Sequence, residues 1–130
     1  QSNTEFEFLT GSSMASAIRY NALSGLSPVR YAGTGFRLAK QGYRTVSLHP
    51  YSSSSWNREK VYEYLGFDEQ LYDTDFPADV ERIRTYISDH ADYQKVIELY
   101  ENKQPDEPLF LFNVTIQNHG SYTDPTTRLR

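Results

Sequence analysis

A chain of 130 residues is the size of one ordinary domain and is too short for two well-cored ones. A formal charge of −4 supplies no excess of cations to release counterions from a phosphate backbone, which argues against nucleic acid as the main partner. The absence of cysteine excludes disulfides, thiolate metal sites and Cys nucleophiles, while a hydrophobic share of 38% with eleven Tyr and seven Phe predicts a thin core that is rich in aromatic area.

Residues 2–14 (SNTEFEFLTGSSM) offer Ser2, Asn3 and Thr4 as N-cap candidates, then Glu5, Phe6, Phe8 and Leu9, and a stop at Gly11. A helix is expected there, although the alternation of Phe6 and Phe8 also suits a strand. Residues 15–35, rich in Ala, Ser and Gly and containing Pro28, keep neither period and read as an irregular connection. Residues 35–41 look like the end of a helix stopped by Gly42, and YRTVSLHP then reads as a buried strand punctuated by Pro50. Ser55 is placed to cap a helix carrying Val61 and Leu65 four apart and ending at Gly66. After a short acidic and aromatic stretch, Ser88 and Asp89 open a helix to about Lys103, with Tyr93, Val96, Ile97 and Tyr100 as one apolar stripe. Pro105 and Pro108 bracket the turn into PLFLFNVTI, whose run from Leu109 to Ile116 fits a strand covered on both faces, and QNHGSY follows as a polar loop.

No stretch approaches the roughly 18 apolar residues of a bilayer span, and no basic-then-apolar signal opens the chain, so it is expected to be soluble as given. The first residue is Gln1 and the one Met is Met14, so the start of translation is expected upstream. Strand, helix, helix and buried strand, each strand followed by polar residues, is the order of an open α/β sheet flanked by helices. Ligands of such sheets sit outside the carboxyl ends of the strands, so His49-Pro50 and Asn118-His119-Gly120 are expected to share one pocket.

In the junction HPYSSSSWNR, a helix N-terminus offers free N–H groups to an anion and Arg58 adds a bidentate grip on phosphate or sulfate. Trp56 either stacks on a ligand or anchors the core, and Arg58 is alternatively a surface residue paired with Glu59 or Glu63. His119 is placed to donate to an oxyanion, to bind metal, or merely to shape a turn. His90, between Asp89 and Asp92, reads as solvated. The three His show no metal-ligand cadence, no G-x-S-x-G elbow supports a Ser–His mechanism, and Gly25 to Gly35 holds no nucleotide-phosphate loop.

Three blocks, SNTEFEFLTG, GYRTVSLHPYSSSSWNREKVYEYLGFDE and PLFLFNVTIQNHGSY, resemble in the same order the lipoteichoic acid synthase-like phosphoglycerol transferases of the alkaline phosphatase and sulfatase superfamily. The resemblance spans nearly the whole chain. It implies an extracellular, membrane-anchored bacterial enzyme of cell-wall polymer metabolism. Such an enzyme transfers or hydrolyses glycerol phosphate, or a related phosphate or sulfate ester, with a divalent metal, typically manganese. His49, Trp56 and Arg58 match the family's HxxxxxxWNR pattern, and His119 the His of its Asn-His loop. Arg58 and His119 are thereby expected to hold phosphate oxygens, Trp56 to wall the glycerol, and His49 to shape the pocket edge. Many relatives have an acidic residue where Tyr51 stands and Phe where Ser55 stands.

The family's Thr nucleophile falls on Gln1, which cannot serve. Either a fragment boundary interrupts the motif, or the nucleophile is lost, or Ser2 replaces it. The family's metal ligands, an acidic residue upstream and an Asp-His pair downstream, lie outside the chain. The span is therefore expected to be the central part of a sulfatase-like catalytic domain, to hold no metal by itself and to be inactive alone. The alternative is a non-catalytic module that binds teichoic acid or glycan, or a structural piece with a vestigial pocket. Bare sheet edges in such a piece are expected to drive self-association.

Overall fold

The computed structural model describes residues 2–11 and 33–120. Helix α1 covers Ser2–Thr10. Glu5, Phe6 and Leu9 turn inward while Phe8 stays outside, a 3.6-residue pattern that settles the segment as helix rather than strand. Gly11 ends it at φ +69°. Of the expected connection over 15–35, the part up to 32 lies outside the described residues, and its last two residues instead open helix α2, Thr34–Lys40.

Strand β1 (Arg44–Leu48) is central. It pairs in parallel with β5 (Leu109–Asn113) on one side, with Val46 opposite Leu111, and with β2 (Glu69–Leu71) on the other, with Val46 opposite Glu69. A bidentate pair from Arg44 to Glu69 clasps β1 to β2, Nη2 donating to Oε1 at 2.8 Å. Helix α3 (Arg58–Tyr64) crosses over between β1 and β2 and packs Val61 and Tyr62 inward, with Leu65 just beyond its end. Burying each such side chain contributes about 1.5–3 kcal/mol. The core joins α1, α3 and the sheet through Phe6, Leu9, Val61, Tyr62, Leu65 and Phe67, with Phe110 and Phe112 packed against it. It is small and aromatic, Phe67 stacking on Phe110 at 5.8 Å. This parallel sheet flanked by helices is the α/β class that the sequence pattern indicates.

Four expectations need correction. Ser55 does not cap α3: it starts a short 3-10 turn, Ser55–Asn57, in which Trp56 and Asn57 take left-handed φ values of 58° and 53°. β5 stops at Asn113, three residues short of Ile116, and is only half-buried throughout, because among the described residues it is an edge strand with nothing outside it. Helix α4 (Asp89–Glu101) is capped by Ser88 as expected, Oγ accepting from Ala91 N–H at 3.0 Å, but its buried face is Ala91 and Asp92. Tyr93, Ile97 and Tyr100 of the supposed inward stripe are 54%, 55% and 64% exposed. The stretch between α3 and α4, left without elements by its composition, holds β2 and a hairpin of β3 (Arg82–Ile83) and β4 (Tyr86–Ile87).

Beside β5, Thr4, Glu5, Phe8 and Phe112 line an apolar groove of about 330 Å³. Among the described residues no helix is long and apolar enough to cross a membrane.

Candidate functional site

The carboxyl ends of β1 and β5 are stitched together at one residue. The His49 N–H donates to Leu71 O at 2.9 Å, the Val114 N–H to Leu48 O at 2.9 Å, and His49 Nδ1 lies 2.7 Å from Val114 O. A carbonyl only accepts, so Nδ1 carries the proton and Nε2 keeps its lone pair. Nε2 is buried and has no partner among the described residues. Burial, and secondarily the Arg58 charge, lower the imidazole pKa to about 4, so His49 is a neutral hydrogen-bond acceptor at neutral pH.

Arg58 opens α3 and is buried, not surface-paired with Glu59 or Glu63. Its partner is Glu5 of α1: Nη2 donates to Oε1 at 2.8 Å, and the Tyr62 hydroxyl donates to Oε2 at 2.8 Å. Glu5, itself held by the Tyr62 hydroxyl, fixes the guanidinium. Trp56 is 55% exposed and so is no core anchor; the left-handed turn at 56 and 57 throws its indole outward. His119 lies in a turn closed by its own N–H to Ile116 O at 2.8 Å and is exposed.

His49, Trp56, Arg58 and His119 line one pocket, together with Tyr51, Ser55 and Ile116. The two junctions at the strand ends, far apart in sequence, thus meet where an open sheet places its ligands. The pocket's volume is about 20 Å³, room for about one water-sized group. His90 stays at the surface, facing Glu81 at 3.5 Å. Gln1 lies outside the described residues. Among the described residues no three His, Asp or Glu side chains cluster to hold a metal.

Sequence reasoning missed Glu5 as the anchor of Arg58 and missed Tyr86, which reaches the site from β4. Tyr86 meets Tyr51 edge-on at 5.7 Å and His119 at 6.3 Å. Glu5 stood in the first of the resembling blocks, which was the one available signal.

The sulfatase family's model matches residues 2–128. The chain is 33% identical over 124 residues to a Rhizobium meliloti (strain 1021) protein named for cyclic beta-1,2-glucan modification, with 92% of this chain and 18% of that one covered. Among solved structures it is similar to the Listeria monocytogenes lipoteichoic acid synthase LtaP (TM-score 0.71, 17% identity, 91% of this chain and 28% of that one). It is also similar to the Streptococcus pyogenes phosphoglycerol transferase GacH, determined in complex with sn-glycerol-1-phosphate (TM-score 0.68, 27% identity, 96% of this chain and 34% of that one). The chain spans between 16% and 23% of the length of the curated relatives it matches.

Proposed function

The chain belongs to the sulfatase family, and from that premise we propose that it supplies the ester-binding wall of a larger phosphoglycerol transferase or phosphatase. The observation that carries this reading is the convergence of His49, Trp56, Arg58 and His119 on one pocket at the ends of two parallel strands. Arg58, oriented by Glu5, and His119 hold phosphate oxygens. Neutral His49 accepts a hydroxyl hydrogen bond at Nε2, which suits the polyol side of the ester rather than its anion, and Trp56 walls the glycerol. The GacH complex supports a glycerol phosphate group as ligand, and the Rhizobium relative supports a glycan as its carrier or acceptor.

The nucleophile and the divalent metal, manganese by resemblance, belong to residues outside the described ones. The metal would neutralise ester oxygens and polarise the nucleophile. The outer face of a bacterial membrane, as the place of action, rests on the same resemblance. The test is Arg58→Ala in the full-length protein, which should lower kcat/KM for a glycerol phosphate ester by about a hundredfold or more. Unchanged kinetics would remove Arg58 from the site. Binding of sn-glycerol-1-phosphate with no turnover of any ester would instead favour the non-catalytic glycan or teichoic acid module.

A further inference from the structure

We propose that Tyr51, backed by Tyr86, is the contact for a sugar ring, so that the rim takes a neutral pyranose while the pocket takes the charged ester. This rests on the glycan-linked ester proposed above and names the residues that would receive the glycan.

The pocket interior admits only an oxygen-sized group, so specificity for the rest of the ligand must be exercised at the rim. What the rim offers is aromatic, and no carboxylate is among the residues that line the pocket. Tyr51 is 38% exposed and packs edge-on against buried His49 at 6.2 Å and against Tyr86 at 5.7 Å. Tyr86 in turn reaches His119, which closes an aromatic belt from one strand-end loop to the other. The belt is held in place. The Arg84 guanidinium sits over the Tyr86 ring at 5.7 Å, and its Nη2 donates to Gln117 O at 2.6 Å, two residues before His119.

Backbone strain is concentrated in the same place. Among the described residues the non-glycine positions with positive φ are Trp56, Asn57 and Arg84, all in the two segments that carry the rim. Arg84 occupies the first position of a two-residue hairpin turn, a place that favours glycine. Such conformations persist only where the surroundings over-determine them, and they collect at ligand sites. A fixed, half-exposed ring presents a face of partial negative charge, to which the slightly positive C–H face of a pyranose is complementary without any formal charge.

The experiment titrates the full-length protein separately with a phosphate-free β-linked gluco-oligosaccharide and with sn-glycerol-1-phosphate. Tyr51→Leu should weaken the oligosaccharide by about tenfold or more and leave sn-glycerol-1-phosphate within about twofold, while Tyr51→Phe, which keeps the ring, retains both. Tyr86→Leu should weaken the oligosaccharide alone, to a smaller degree. Arg58→Ala should do the reverse of Tyr51→Leu. The inference is overturned if the wild-type protein does not bind the oligosaccharide, if Tyr51→Leu binds it normally, or if Tyr51→Leu loses both ligands together. Loss of sn-glycerol-1-phosphate binding in the wild type would overturn the ester reading while leaving the sugar result to stand by itself.

Discussion

Arg58 and Glu5 are 3% and 5% exposed, so each depends on the other to make its charge tolerable in the interior. Removing one partner of such a pair costs about 3–5 kcal/mol because it strands the other charge. Glu5→Ala should lower the urea midpoint accordingly and weaken ester binding as well, since the guanidinium loses its orientation. Two other buried groups tie stability to pH in opposite senses. His49 titrates near 4 in the fold and 6.5 unfolded, so between those values the unfolded chain holds the extra proton and stability rises with pH. Asp92, whose carboxyl is pushed up to about 6 chiefly by burial from its ordinary 3.8, holds the extra proton in the fold, so stability falls as pH rises from about 4 to 6. The two slopes oppose across that window. Urea midpoints should therefore fall from pH 4.5 to 6 in His49→Gln, and rise in Asp92→Asn, each relative to the wild type.

At the level of elements, α2 and the end of α3 meet through backbone. The Phe36 N–H donates to Leu65 O at 3.2 Å, and a Cβ at Gly66 would lie 2.5 Å from the Phe36 backbone at a φ of +87°. Gly66→Ala should therefore destabilise by several kcal/mol, about 4 or more, with the backbone of α2 displaced, visible as lost amide exchange protection over residues 34–40. The sequence makes Gly66 legible as a helix stop, but not as the floor under α2. The longer elements β1, α3, α4 and β5 were legible because each carries enough residues for its apolar pattern or caps to register. The three residues of β2 and the pairs that make β3 and β4 are too few for any period. The inward face of α4 was misread because Asp92, a charged residue, takes the buried position opposite Asn113 while tyrosines face out, with Asn113 Nδ2 donating to Asp92 Oδ2. Similarly, the topology of parallel sheets pointed to a pocket shared by the loops of His49 and His119, and the family resemblance added Trp56 and Arg58, whereas Glu5 and Arg58 are 53 positions apart and only folding reveals them as a pair.

For the molecule as a whole, β2 and β5 each lack an outer neighbour among the described residues, and LFLFN of β5 is uncharged and free of Pro. With an apolar groove running beside it, this edge should draw isolated 130-residue chains together. Light scattering of that chain should show mass rising with concentration, and a strictly monomeric mass at high concentration would contradict it. The His49 to Val114 hydrogen bond has a consequence at the same scale. It joins the residues just past β1 and β5, and it forms only when Leu48 lies beside Asn113. Should the two strands slide by one step, the imidazole loses its carbonyl, its proton is no longer held on Nδ1, and the binding corner comes apart. Strand alignment and the geometry of the proposed pocket are thereby set by one and the same contact.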